Sequence, residues 1–211
     1  MVKRVPQKTA PQAAPSFVVE YRCMSKKILV LPGSVRTNAL CSKVTGAFET
    51  LAPEGIDLQV ADIGSFPLFN QDLELPEPEF LVNFKNDIRS ADAILIITPE
   101  YNRSYPAVVK NALDWGSRPP ATIENRVWNY KPTAIAGYSP YSLGGVGAVL
   151  HLRQVLTSLN MPALQQPEFY LSQAADKFDE AGNLIDEGTE NFIKTFWIAF
   201  NKFIEEVNSK K

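Results

Sequence analysis

Short apolar runs that alternate with helix-forming segments limit, more than any other feature, how this chain can fold. The clearest run covers residues 93–97 (AILII) and is followed at once by Thr98, Pro99 and Glu100. Because the run is apolar at every position, a strand formed from it would be buried on both faces. Such strands, when they alternate with helices, form a parallel sheet with helices on both sides.

Four further runs suit strands, and amphipathic segments follow each of them. The predicted strands are 28–31, 58–63, 93–97, 133–137 and 169–171. The helical segments carry apolar residues at i, i+3, i+4 and i+7, as Phe200, Phe203, Ile204 and Val207 do. Five strands predict an α/β fold of the flavodoxin-like kind, which is a three-layer sandwich with a five-stranded doubly wound parallel sheet. A six-stranded dinucleotide-binding fold fits less well.

The remaining stretches divide into loops and a terminal extension. Residues 64–78 and 117–131 are predicted to be loops, with the acids of residues 72–79 in solvent. Residues 1–23 contain four basic residues and one acid, a charge of 4 − 1 = +3. We predict a flexible N-terminal extension over 1–23, or alternatively a weak organelle-targeting peptide, and one domain over 24–211.

Composition disfavours several classes of protein. A net charge of −2 and a pI near 5.6 argue against a nucleic-acid binder. The sequence has no run of about 18 apolar residues, so no membrane span is expected. Cys23 and Cys41 form no metal motif and His151 is the single histidine, so no metal site is expected. Two cysteines without a pairing pattern favour reduced thiols and a cytoplasmic location.

The first candidate loop lies between strand 28–31 and the next predicted helix. Gly33 permits a tight turn, and Ser34, Thr37 and Asn38 supply small hydrogen-bonding groups. The N–H groups and positive dipole end of a helix N-terminus favour anions, and Arg36 adds a charge suited to phosphate. The loop therefore reads as a site for one phosphoryl group, or alternatively as an ordinary helix cap with a surface arginine.

The second candidate loop, Pro99-Glu100-Tyr101-Asn102, follows the central strand. Its backbone N–H and C=O groups could hydrogen-bond to the polar edge of a flat ring, and Tyr101 could cover the face of that ring. A helix is predicted to begin near Ser104 as N-cap, with Pro106 in its first turn.

The third candidate loop follows the fourth strand and contains Ser139, Gly144 and Gly145. Two adjacent glycines let a backbone approach a ligand closely. The sequence Gly145-Val146-Gly147 superficially matches a dinucleotide-binding fingerprint, but the third glycine of that motif would fall at Leu150.

Three of these segments together resemble the signature of the NADPH-dependent FMN reductase family, which includes flavin, quinone, azo-dye and chromate reductases. They are residues 33–36 (GSVR), 99–102 (PEYN) and 110–115 (KNALDW). The similarity covers about residues 26–172. The resemblance implies that the first loop holds the FMN phosphate and that the second holds the isoalloxazine ring. It also implies that the Gly-Gly segment lies near the pyrimidine side of the flavin.

One position departs from the family pattern. The family often has a second serine three residues after the arginine, where this chain has Ala39. Thr37, Asn38 or Ser42 would then have to supply the missing hydroxyl contact.

The resemblance implies an oxidoreductase that contains FMN and uses NADPH or NADH as reductant. Hydride transfer would be ping-pong, through FMN to a quinone, flavin, azo or metal-oxyanion acceptor, with no side chain as catalytic acid or base. It also implies a dimer or tetramer, with helices carrying Trp115 and Phe200 supplying apolar contact surface. A flavodoxin-type electron carrier, which Arg36 argues against, and a non-catalytic flavin-binding protein, which Ala39 hints at, are the alternatives.

Five other residues receive structural interpretations. Asp114 and Trp115 are predicted to stabilise helix packing or a subunit contact. Arg118 lies just after them and could reach the flavin or the NADPH phosphate. Cys41 is predicted to be a small core side chain, and His151 a surface or satisfied core histidine.

Overall fold

The computed structural model describes residues 25–118 and 126–210. The predictions for residues 1–23 therefore lie outside the described residues. The elements, in chain order, are β1 Lys26–Pro32, α1 Leu40–Thr50, β2 Ile56–Val60, α2 Glu79–Ser90, β3 Ala93–Pro99, α3 Ala107–Gly116, β4 Thr133–Tyr138, α4 Val146–Ser158, β5 Phe169–Leu171 and α5 Glu187–Asn208. Two short 3₁₀ turns, Gln71–Leu73 and Ala174–Lys177, lie in the connections.

The five strands form one parallel sheet in the order β2-β1-β3-β4-β5. The chain moves from β1 outward to β2 and then crosses back to β3 on the other side of β1. This reversal between β1 and β3 is the topological switch point, outside which such sheets bind ligands. The flavodoxin-like α/β fold predicted from the sequence is confirmed.

The sheet separates two apolar cores, and side chains that alternate along β3 contribute to both of them. Leu95 and Ile97 face α1 and α5, where Phe48, Trp197 and Phe200 are buried. Ile94 and Ile96 face the opposite layer, which contains α2, α3 and α4. Successive strand side chains point to opposite faces, so a run that is apolar throughout belongs at the centre of this sandwich.

The second strand starts and ends earlier than the predicted range 58–63. It covers Ile56–Val60, and Ala61 still donates to the carbonyl of Val30 at 2.9 Å. The N–H of Ile63 then bonds back to the carbonyl of Ala61, and this tight turn takes the chain off the sheet.

The prediction that the acids of residues 72–79 all lie in solvent is wrong for Glu74. Glu74 is buried and forms an ion pair with Arg118, whose Nε lies 2.6 Å from a carboxylate oxygen. Glu77 pairs with Lys85, which is itself buried. Carboxylates tolerate burial when a cation partners them, and the connection between β2 and α2 is consequently fastened to the helical layer.

Candidate functional site

Three loops leave the carboxyl edge of the sheet side by side. The strand register places Pro32 beside Ile97, Pro99 beside Tyr138, and Tyr138 beside Leu171. The loops that begin at Gly33, Glu100 and Ser139 therefore leave neighbouring strands β1, β3 and β4. The structure thus brings together the three segments that the sequence singled out.

The first loop presents hydrogen-bond donors that the protein does not use. Within the described residues, the backbone N–H groups of 35–38 and the side chains of Ser34, Arg36, Thr37 and Asn38 make no hydrogen bond. Helix α1 follows directly, with no side-chain cap from Ala39 and no acid in its first turn. Unpaired donors, an arginine and the positive end of a helix together form a site suited to a phosphate dianion.

Ala39 lies in the core at the start of α1, where its methyl group is buried. Thr37 and Asn38 are exposed in this loop, and Ser42 is exposed in the first turn of α1. Asn38 adopts a left-handed conformation, with φ of 55°, which asparagine tolerates better than most residues. Which of the three polar groups replaces the family serine stays a prediction.

A neutral pair of side chains forms the floor beneath this loop. Cys41 and Tyr138 are both buried and in contact with each other. Burial raises the pKa of the Cys41 thiol, and burial together with the adjacent thiol raises the pKa of the Tyr138 hydroxyl. Both groups stay protonated at neutral pH, so they add no negative charge below an anion site. Cys41 is the core side chain that the sequence predicted.

The second loop is a two-residue β-hairpin rather than the start of a helix. The N–H of Tyr101 donates to the carbonyl of Ser104 at 2.8 Å, and the N–H of Ser104 donates back at 3.0 Å. Asn102 and Arg103 both have positive φ, the conformation of a type I′ turn. The predicted helix start at Ser104 is wrong because the backbone of Ser104 is used in this hairpin; α3 begins at Ala107, after Pro106.

The hairpin turns Tyr101 outward and Glu100 inward. Tyr101 is 52% exposed at the rim of the site. The Glu100 side chain is only 10% exposed, and its Oε2 accepts the N–H of Gly147 at 2.7 Å. The carboxylate therefore contacts α4, and the ring contact predicted for residue 100 would have to use its backbone.

The third loop packs closely on the protein's own backbone. Ser139 Oγ accepts the N–H of Tyr141 at 3.0 Å, which closes a turn. Gly144 and Gly145 have φ of 61° and 84°, conformations that other residues rarely adopt. A Cβ on Gly144 would lie 2.9 Å from backbone of Tyr170. The glycine pair was predicted to permit approach to a ligand, and the approach observed is to strand β5.

Two residues that the sequence did not place at the site anchor its neighbouring loop. Asn111 Nδ2 and Trp115 Nε1 both donate to the carbonyl of Pro67, at 2.9 and 2.8 Å. Asn111 Oδ1 also accepts the N–H of Phe69 at 2.7 Å. The motif 110–115 carried the signal, since its polar residues recur on one face of α3. The packing role predicted for Trp115 is confirmed, because its side chain is fully buried.

The other residues with sequence interpretations lie as follows. Asp114 forms an exposed ion pair with Lys110 one helical turn earlier. Arg118 follows the last turn of α3, about 15 Å along the helix axis from its start, and it pairs with Glu74; its contact with the flavin or the NADPH phosphate stays a prediction. His151 is exposed on α4, with Nδ1 3.1 Å from Ser104 Oγ.

This arrangement defines a flavodoxin-like protein whose three candidate loops lie side by side at the carboxyl edge of the sheet. The NADPH-dependent FMN reductase family matches residues 26–176. A quinone reductase of Pseudomonas putida is 41% identical over 184 residues, covering 84% of this chain and 97% of that protein. A 2-hydroxy-1,4-benzoquinone reductase of a Burkholderia species is 39% identical over 183 residues, covering 87% and 98%.

A solved structure agrees with these sequence relatives. FerB, a flavoenzyme NAD(P)H:(acceptor) oxidoreductase from Paracoccus denitrificans, superposes with a TM-score of 0.79 at 35% identity, covering 86% of this chain and 98% of that one. The chain belongs to the NADPH-dependent FMN reductase family. It is an oxidoreductase that uses FMN as cofactor and NAD(P)H as reductant, and the free donors of the first loop fit the phosphate of FMN.

Neither 25–118 nor 126–210 contains a helix long and apolar enough to cross a membrane. The same ranges contain no cluster of three His, Cys, Asp or Glu side chains that could bind a metal ion.

Proposed function

We propose that the chain reduces quinones with NAD(P)H, through FMN bound across the three loops. The observation that carries this proposal is the first loop, where four backbone N–H groups, Arg36 and the uncapped end of α1 face solvent without a protein acceptor. Leaving so many donors unused is unfavourable unless water or a ligand accepts them.

The phosphate of FMN is assigned to the loop that contains Ser34, Arg36, Thr37 and Asn38. A phosphate there would accept several N–H groups at once, and Arg36 would pair with its charge. The neutral floor formed by Cys41 and Tyr138 supports this assignment, because an ionised group at that depth would repel the phosphate.

The flavin ring is assigned to the space beside the Glu100–Tyr101–Asn102 hairpin and the loop from Ser139 to Gly145. Adjacent strands lie about 4.8 Å apart, so loops on β1, β3 and β4 start about 5 and 10 Å from one another. That spacing suits a cofactor whose phosphate and ring lie at opposite ends. Tyr101 and Tyr141 are both exposed and would offer apolar faces to a flat ligand.

FMN held by these loops would supply the two-electron chemistry that links NAD(P)H oxidation to reduction of the acceptor. The protein's task is then to orient the partners rather than to supply an acid or base. A quinone is favoured as the acceptor because the Pseudomonas putida and Burkholderia relatives are named for quinone reduction. Flavin, azo and metal-oxyanion acceptors are the other candidates that the family resemblance implies.

The visible absorption spectrum tests the proposal directly. Protein incubated with FMN and then desalted should show the absorption bands of bound flavin. Addition of NADPH under nitrogen should bleach these bands as soon as the solutions are mixed. Addition of 1,4-benzoquinone should restore the bands at once. Bands that bleach only slowly with NADPH would favour the electron-carrier alternative. No retained flavin would remove the proposal.

We also propose that the chain self-associates as a dimer or tetramer and is located in the cytoplasm. The Trp115 and Phe200 side chains are fully buried, so any contact surface on their helices would come from other residues of those helices. Leu68 and Leu75 are instead the exposed apolar side chains beside α3, at 80% and 77% exposure. Light scattering after gel filtration and cell fractionation test the two statements.

A further inference from the structure

The Glu100 carboxylate occupies the N-terminus of α4. Its Oε2 accepts the N–H of Gly147, the second residue of that helix, from 47 positions away in the chain. The helix's own N-cap residue is Gly145, which has no side chain to cap with. The first N–H groups of a helix need an acceptor from outside the helix, and here a distant loop provides one.

The fit between hairpin and helix is close enough to require glycine. A Cβ on Gly147 would lie 2.9 Å from the carbonyl oxygen of Arg103 and 3.0 Å from Glu100 Oε2. The hairpin therefore lies directly against the first turn of α4. Because Gly144 and Gly145 lead into that turn, the same contact ties the second loop to the third.

The two helix N-termini differ in what they can accept. Helix α1 starts without a side-chain cap and without an acid in its first turn. Helix α4 already has a carboxylate, 90% of whose side chain is buried, at the positive end of its dipole. A further anion at α4 would meet a like charge, so the phosphate has its site at α1.

We infer that Glu100 is a positioning residue whose carboxylate caps α4 and sets the spacing of the second and third loops, without itself contacting the flavin. This inference rests on the placement of FMN proposed above. Replacing Glu100 with alanine would leave the Gly147 N–H without an acceptor. Glutamine would keep an oxygen at the same reach while removing the charge. Alanine at Gly147 would force the same two loops apart from the other side.

Fluorescence titration with FMN and the visible spectrum of the bound flavin provide the test. Glu100→Ala and Gly147→Ala should each weaken FMN binding at least about tenfold, as expected for an unsatisfied donor or a displaced loop. Both should also shift the flavin bands. Glu100→Gln should stay within about threefold of the wild type because the acceptor is retained. Glu190→Ala is the matched control, since it removes a first-turn carboxylate of α5 that, within the described residues, forms an ion pair only with exposed Lys194.

The outcomes separate this role from direct contact with the ring. If Glu100→Gln binds as weakly as Glu100→Ala while Gly147→Ala binds normally, the charge itself meets the flavin and the inference is wrong. Wild-type binding and spectra in both alanine variants would also overturn it. Should Glu100→Ala fail to fold, Glu100→Gln and Gly147→Ala still decide the question. A wild-type protein that takes up no FMN would refute the proposed function instead, whatever the variants do.

Discussion

A Cβ placed on Gly33 would lie 2.6 Å from Cδ of Pro99 and 2.8 Å from Cα of Thr98. Gly33 is buried, and its N–H donates to the carbonyl of Ile97 at 2.7 Å. The end of β1 therefore touches the end of β3. The first loop and the second loop start from this one contact, which any side chain at position 33 would disrupt.

Gly33→Ala should destabilise the protein by about 1–3 kcal/mol, the usual cost of overpacking, and it should also weaken FMN binding. Gly46→Ala is the matched control, because a Cβ at Gly46 in helix α1 has no neighbour within 4 Å. That change should stabilise the protein by about 0.5–1 kcal/mol, since alanine favours helices over glycine. Urea unfolding measures both, and equal midpoints for the two variants would contradict the contact.

Arg36→Ala should weaken FMN binding by about 1–3 kcal/mol, the range for a lost hydrogen bond to a charged group. Isothermal titration with FMN gives the value, and the melting temperature without FMN should change little because Arg36 is exposed and makes no ion pair in the described residues. Arg89→Ala, in the last turn of α2, removes an exposed arginine far from the carboxyl edge. If both variants bind FMN equally, Arg36 is not part of the phosphate site.

The fold was predictable because its signal is local. Residues 93–97 of strand β3 are apolar at every position, and only burial on both faces accommodates such a run. The same holds for the helix that carries Phe200 and Phe203, whose spacing alone defines its buried face. The alternation of apolar runs and amphipathic segments along the chain predicted that strands alternate with helices. Strands that alternate with helices in turn predicted a parallel sheet.

The details of the site were less predictable because they depend on distant residues. Ser104 before Tyr-Pro reads as a helix cap, yet its backbone pairs with Tyr101 across a turn. The acids of 72–79 read as solvated because Arg118, the partner of Glu74, is 44 positions away. Local pattern gives the residues that can bind or cap; the partner that each one uses depends on tertiary contacts.

Asn111→Ala should free the connection between β2 and α2. Its amide makes two of the three hydrogen bonds that fasten Pro67 and Phe69 to α3. We expect a loss of about 1–3 kcal/mol in unfolding free energy, the cost of leaving buried groups unsatisfied. Hydrogen exchange at the Phe69 amide should also become faster.

Trp115→Phe removes the indole N–H to Pro67 and part of a fully buried ring system, so it should cost about 1–3 kcal/mol. Trp128→Phe is the control for this change, because the Trp128 indole donates instead to the carbonyl of Leu113. It should lower stability without accelerating exchange at Phe69. Slow exchange at Phe69 in the Asn111 variant would show that the loop does not depend on these hydrogen bonds.

Tyr138→Phe should make stability less sensitive to alkaline pH. Burial raises the pKa of both Tyr138 and Cys41 in the folded protein. In the unfolded chain the Cys41 thiol ionises near its ordinary pKa of 9.0 and the Tyr138 hydroxyl near its ordinary pKa of 10.0. The unfolded state then binds fewer protons, so the stability present at neutral pH is lost as pH rises above about 9.

Unfolding free energies from urea titrations at pH 7, 9 and 10.5 should fall less steeply in the variant. Tyr130→Phe, which removes an exposed hydroxyl, should leave the wild-type slope unchanged. Parallel slopes for wild type and Tyr138→Phe would mean that the hydroxyl reaches water beneath the first loop.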